Sequence, residues 1–237
     1  MELENIIYPG FNKTLSELNA LSKVKKKSCE IIDLTEIEWV RDVLRHRIEE
    51  IGSYDIKFKK PTDEEIQSVS KIVGADIDMD ELKNNFHKNK RIIGITSGKG
   101  GVGKSTITSL LGIAFDELGK KVGIMDSDIW GYSVPKILGA KFPPIPFNER
   151  IFPSRINNLN VISMDYFVKQ DEAVIWRGPM LHKAIEQFLF EVLWHDIDIL
   201  LIDMPPGTGD VSISLSQFLK YYENIVVTTI FSKYFKN

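Results

Sequence analysis

Apolar and polar positions along the chain change rhythm near residue 90. Upstream, Glu30-Ile31-Ile32-Asp33-Leu34 predicts a short strand. Trp39, Val40, Val43, Leu44, Ile48 and Ile51 then recur at helical spacing until Gly52, and Tyr54-Asp55-Ile56-Lys57-Phe58 alternates as a strand does. Pro61-Thr62-Asp63 and the acidic segment after it read as a connection. Residues 1–80 are therefore expected to form a small α/β module, and the charged stretch at 81–90 a linker. Over 91–237 short apolar runs alternate with longer helical patterns, the mark of a parallel sheet covered by helices on both faces. Strands are predicted at 91–96, 122–126, 159–164, 198–203 and 224–229, and helices near 104–118, 134–138, 179–194 and 211–222. Gly119 suits the end of the first of these helices and Pro179 the start of the third. Phe188, Leu189, Val192 and Leu193 fall at core spacing, and the proline-rich piece KFPPIPFNERIFPSR is expected to be a surface excursion.

Composition narrows the class. The 237 residues are 43% hydrophobic and 27% charged, with a net charge of -3, as in ordinary globular proteins. No apolar run approaches the roughly 18 residues of a membrane span. The opening MELENIIYPGFNKTL also lacks the basic-then-apolar order of a secretion signal. A cytoplasmic location with no membrane partner is expected. The slight negative charge gives no general attraction to nucleic acid, and Lys23, Lys25, Lys26 and Lys27 read as a solvated loop. The single Cys29 can neither close an internal disulfide nor supply the four ligands of a zinc or iron–sulfur site, and His182 and His195 have no partner at ligand spacing.

The strongest chemical signal is Gly98-Lys99-Gly100-Gly101-Val102-Gly103-Lys104-Ser105-Thr106, which satisfies G-x-x-x-x-G-K-[ST] directly after an apolar strand and before a helical pattern. Glycines let the backbone wrap closely round a phosphate with its N–H groups turned inward, at the positive end of the following helix. Lys104 is expected to reach the β and γ phosphates of a nucleotide, and Ser105 to place its hydroxyl on Mg2+.

Two further strands end in aspartate, on the side where an open parallel sheet binds its ligands: 122–125 leads to Asp126-Ser127-Asp128 and 199–202 to Asp203. A carboxylate after a wholly apolar strand is costly unless it meets a cation or donors. Asp203 fits the Walker B position, holding the same Mg2+ directly or through water. Asp126 and Asp128 fit a first switch, one helping the Mg2+ shell and the other orienting the attacking water, in an order the sequence leaves open. In Asp203-Met204-Pro205-Pro206-Gly207-Thr208-Gly209-Asp210, Gly207 suits both a tight turn and a backbone N–H that senses the γ-phosphate. Arg177 fits a phosphate or interface arginine as well as a residue packed near Trp176.

With its second lysine, GKGGVGKST resembles the deviant Walker A loop of the MinD, ParA and Mrp/NBP35 class of P-loop ATPases. The segments DSDIWGYSVPKILG, VIWRGPMLHKAIEQFL and WHDIDILLIDMPPGTGDVSISLSQ narrow the resemblance to the Mrp/NBP35 (ApbC) branch, over about residues 91–229. It implies a P-loop NTPase fold and slow ATP hydrolysis. It also implies a homodimer in which Lys99 reaches the partner's phosphates, although a lysine near its own subunit's triphosphate is the alternative. The function implied is iron–sulfur cluster carriage, with scaffold or client proteins as partners. Residues 1–80 are similar in element order to the MIP18-like domain. Tyr132 departs from the proline usual in the family, and the sequence stops eight residues after Thr229. It therefore lacks the C-x-x-C pair with which the family bridges a [4Fe-4S] cluster across the dimer. A chain ending there is expected to be truncated and unable to hold that cluster by itself. The rival expectations are a nucleotide-binding module without turnover and a partition or positioning ATPase.

Overall fold

A computed structural model describes residues 2–25, 27–88, 90–129, 131, 133–167, 178–194, 197–207 and 209–229. Lys26, Tyr132, Trp176, Arg177, His195, Thr208 and the terminal segment from Ile230 lie outside the described residues. The chain divides into two compact units, Met1–Asp78 with Ile145–Phe152, and Met79–Pro144 with Pro153–Asn237.

The first unit opens with the strand pair β1 (Ile7–Tyr8) and β2 (Lys13–Thr14). A three-stranded sheet follows, made of β3 (Leu21–Lys25), β4 (Ser28–Ile32) and β5 (Asp55–Lys59), with β3 antiparallel and β5 parallel to the central β4. The crossover between β4 and β5 is α1 (Glu38–Glu49), whose Val40, Leu44 and Ile48 are buried at the predicted helical period. Two expectations need correction. Lys23 and Lys25 stand on the edge strand β3 and not in a loop, although their side chains are exposed. The segment after Pro61 is a helix, α2 (Asp63–Val73): Thr62 and Glu65 form a reciprocal capping box, and Gly74 at φ 63° ends the helix.

The second unit begins with α3 (Met79–Asn85), so the stretch 81–90 is not a linker. Phe86 beyond it is 6% exposed and meets Phe190 edge to face, with ring centroids 5.1 Å apart. Then come β6 (Arg91–Thr96), α4 (Lys104–Glu117), β7 (Val122–Asp126) and α5 (Val134–Leu138). The hairpin of β8 (Ile145–Phe147) and β9 (Arg150–Phe152) interrupts this unit before β10 (Ser154–Ile156), β11 (Leu159–Ser163), α6 (Gly178–Phe190), β12 (Ile199–Asp203), α7 (Asp210–Phe218) and β13 (Glu223–Val226). The sheet order is β10-β11-β7-β12-β6-β13, parallel except for β10. β7 and β12 are buried along their whole length, and Ile93, Ile95, Ile124, Val161 and Leu201 form part of one core cluster. Helices α6 and α7 and strand β13 end earlier than their apolar patterns predict. Among the described residues no helix is long and apolar enough to cross a membrane.

The proline-rich piece is not a surface excursion. Ile145, Phe147 and Phe152 of the hairpin are buried, and Phe11 sits 5.1 Å from the Phe147 ring and 4.3 Å from that of Phe152. Arg150 is 5% exposed, and its guanidinium donates to the carbonyls of Ala75 and Ile77. The hairpin thus completes the core of the first unit.

Candidate functional site

Parallel register gathers the site. Asp203 at the end of β12 pairs with Ile95 of β6 on one side and Asp126 of β7 on the other, and Asp126 pairs with Ser163 of β11. Three polar residues therefore stand in a row at the carboxyl edge, where strand order and helix starts leave a crevice for ligands.

The phosphate loop runs from the end of β6 into α4. Gly101 and Gly103 sit at φ 76° and 89°, which a side chain would strain. A Cβ on Gly98, Gly100, Gly101 or Gly103 would meet nothing within 4 Å among the described residues, so the loop borders open space on that count. Gly98, Lys99, Gly100, Gly101, Gly103 and Thr106 are exposed, Val102 and Ser105 are half-buried, and Lys104 is 6% exposed. The Lys104 ammonium lies 2.8 Å from Asp203 Oδ1 and 3.6 Å from Asp128 Oδ2. Among the described residues these contacts are ion pairs and not well-aligned hydrogen bonds. A buried cation beside an exposed glycine loop fits a polyphosphate.

Asp203 is fully buried. Its Oδ2 accepts the Ser105 hydroxyl at 2.6 Å and its Oδ1 that of Thr108 at 2.8 Å. Its backbone carbonyl accepts both the N–H and the hydroxyl of Ser127, at 3.0 and 2.8 Å. The hydroxyl of Ser105 and the carboxylates of Asp203 and Asp128 are hard oxygen donors, the set Mg2+ takes.

The two switch aspartates have different surroundings. Asp128 faces Lys104. Asp126 Oδ2 accepts the N–H groups of Ser133 and Val134 at 3.1 and 3.2 Å and the Ser163 hydroxyl at 3.2 Å, while Oδ1 accepts the Asp128 N–H at 3.3 Å. Burial, with the Asp203 charge adding to it, pushes the Asp126 carboxyl up to about 7 despite those donors. Asp126 therefore ties the start of α5 and the Asp128 backbone to the sheet. Gly207, at φ 86°, donates its N–H to the Ser97 carbonyl at 2.8 Å, a bond that has to break before that N–H can reach a phosphate.

Thr108, Ser127 and Ser163 are absent from the sequence-derived set. Thr108 is accessible by spacing, since four residues after Lys104 it shares that lysine's helix face. Ser127 and Ser163 take their roles from strand register, which one sequence does not reveal. His182 stacks on Phe218, with ring centroids 4.4 Å apart, and its Nδ1 lies 3.1 Å from Ser214 Oγ.

Comparison with known proteins agrees with this geometry. The family profile described as NUBPL iron-transfer P-loop NTPase matches residues 88–232. An iron-sulfur cluster carrier protein of Mycobacterium leprae is 47% identical over 139 residues, covering 59% of this chain and 36% of the relative. One from Helicobacter pylori is 34% identical over 234 residues, covering 96% of this chain and 62% of the relative. The chain thus spans between about a third and two thirds of the length of these relatives. Among solved structures, a nucleotide-binding protein of Archaeoglobus fulgidus in complex with ADP superposes with a TM-score of 0.52 at 33% identity, covering 65% of this chain and 60% of that one. A glycine loop opening a helix, an aspartate-ended neighbouring strand and a matching profile over more than half the sequence converge: the chain belongs to the NUBPL iron-transfer P-loop NTPase family, the Mrp/NBP35 class.

Proposed function

We propose that the protein binds Mg–ATP at the 98–106 loop and hydrolyses it slowly, as a homodimer, in the transfer of iron–sulfur clusters to client or scaffold proteins in the cytoplasm. The observation that carries this reading is the buried Lys104–Asp203–Ser105 cluster beside open glycine backbone. In this reading the loop N–H groups and Lys104 hold the β and γ phosphates. Ser105, with Asp203 behind it, holds Mg2+, which neutralises charge building on the phosphate oxygens. In this reading Asp128, beside Lys104, orients the attacking water, and Asp126 holds the loop that carries it. Gly207 exchanges Ser97 for the γ-phosphate, so that hydrolysis restores the bond between them. In this reading Lys99, exposed on the loop, reaches the partner subunit's phosphates.

The cluster is cargo. Cys29, the sequence's single cysteine, is 2% exposed within β4, and burial pushes its thiol pKa up, so it is no ligand for a [4Fe-4S] group. The strand–helix–strand order of the first unit supports the MIP18-like assignment for residues 1–80. Calorimetry with Mg–ADP and steady-state phosphate release test the reading. Lys104→Ala abolishes binding, whereas Lys99→Ala spares binding and lowers turnover. Full affinity in the first variant sinks the site assignment, and unchanged turnover in the second sinks the role across the dimer.

A further inference from the structure

Within the proposed nucleotide site, Lys104 has to be in two places. In this structure its ammonium neutralises Asp203 Oδ1 at 2.8 Å. To hold a phosphate it must turn its protons away from that oxygen, which is fully buried with Lys104 in place. A buried carboxylate oxygen left without any partner is costly, and that cost would be subtracted from nucleotide affinity.

Thr108 removes the difficulty. It is itself completely buried, on the turn of α4 above Lys104, and its hydroxyl stands 2.8 Å from Asp203 Oδ1 and 3.0 Å from the Lys104 carbonyl. A threonine in a helix has a rotamer that bonds back to the carbonyl four residues earlier, so the side chain is preset in this position. Its one proton has two acceptors, and the charged, closer carboxylate is the stronger. Oδ1 therefore has two partners, one anchored and one mobile, while Oδ2 keeps the Ser105 hydroxyl.

We propose that Thr108 is a positioning residue which holds Asp203 Oδ1 when Lys104 turns from Asp203 to the bound phosphate. It never touches the nucleotide. It sets how easily Lys104 is released, and it keeps Asp203 aligned behind Ser105. The proposal rests on the reading of this loop as a nucleotide site.

The test is calorimetric titration with ADP in EDTA, so that Mg2+ does not enter. Thr108→Val, close in shape, weakens ADP binding about tenfold, the size of one lost hydrogen bond to a charged group, and Thr108→Ser restores it to within twofold. In an Asp203→Asn background there is no charge for Thr108 to hold, and adding Thr108→Val then costs less than twofold. Wild-type affinity in Thr108→Val overturns the proposal. So does an equal loss in the Asp203→Asn background, which marks a packing role. Unfolding temperatures of the free proteins establish that each variant is folded, and Thr108→Ala replaces the valine variant if that one is not. Lys104→Ala separates the two levels: loss of ADP binding there upholds the site, and retained binding overturns the site and the proposal together.

Discussion

Ser105 and Asp203, 98 residues apart in sequence, meet through a 2.6 Å hydrogen bond in which the hydroxyl donates to the carboxylate. The bond exists because β6, which launches the phosphate loop, lies beside β12, which ends in Asp203, with Ile95 and Asp203 in register. With its proton committed to Asp203, the Ser105 oxygen keeps its lone pairs for a cation. A serine in an ordinary glycine turn needs no such partner.

This arrangement predicts that Ser105→Ala uncouples nucleotide from metal. The glycine loop and Lys104 remain, so ADP still binds in EDTA within a few-fold of wild type. The tightening that Mg2+ adds is lost, because the alanine supplies no oxygen and leaves Asp203 Oδ2 bare, at a cost of about 1–3 kcal/mol in the buried site. Titrations with ADP in Mg2+ and in EDTA check this, and a variant that keeps the full Mg2+ effect removes Ser105 from the metal site.

Asp126 and Asp128, two residues apart, are predicted to fail in opposite ways. Asp126→Ala strands the N–H groups of Ser133 and Val134 at the start of α5, and buried amides without acceptors cost roughly 1–3 kcal/mol each. Urea unfolding should show a loss of about 3 kcal/mol. Asp128→Ala leaves Lys104 its closer partner, Asp203 at 2.8 Å, so it should cost less stability than Asp126→Ala while phosphate release falls at least tenfold. Equal stability losses in the two variants would refute this division.

The same contrast marks what one sequence can and cannot carry. The strands ending in Asp126 and Asp203 and the loop at 98–106 are legible because local pattern fixes them: apolar runs, glycine spacing and a following helix. Which oxygen meets which donor is not, because the Asp126–Ser163 and Asp203–Ser127 pairings arise from register between strands distant in sequence. The helix α2 has a local signal too, since Thr62 and Glu65 spell a capping box, but the neighbouring proline makes the segment read as a connection. In the hairpin, Ile145-Pro146-Phe147 and Arg150-Ile151-Phe152 alternate as strands do, and nothing local says which core receives them.

That hairpin yields a stability prediction for the first unit. Phe147→Ala empties a fully packed aromatic site against Phe11 and should cost about 3–5 kcal/mol. Arg150→Ala leaves the carbonyls of Ala75 and Ile77 short of a charged donor and should cost about 2 kcal/mol. Hydrogen exchange reads both: amides of β4 and α1 lose protection, although the substitutions lie far downstream of them in sequence. Unchanged protection there would detach the hairpin from that core.

Lys90 supplies a pH dependence whose sign can be worked out. Burial pushes its ammonium down to about 8, and Nζ sits 4.4 Å from the centre of the Phe86 ring. In the unfolded chain the group titrates near about 10.4. Between about pH 8 and about pH 10 the unfolded chain therefore binds more protons than the folded one, so this lysine's contribution makes stability rise with pH across that window. Below that window the folded protein carries a poorly solvated charge. Lys90→Met keeps the apolar stem and removes the charge, and should stabilise by about 1 kcal/mol near neutral pH, a value reduced for screening at a half-buried site. At about pH 9.5 the wild-type lysine is already largely neutral when folded, so the advantage of the methionine falls to roughly half or less. Urea midpoints of both proteins at the two pH values measure this, and their difference cancels the titration of every other group. An advantage that stays constant with pH would mean that the methionine acts by packing alone.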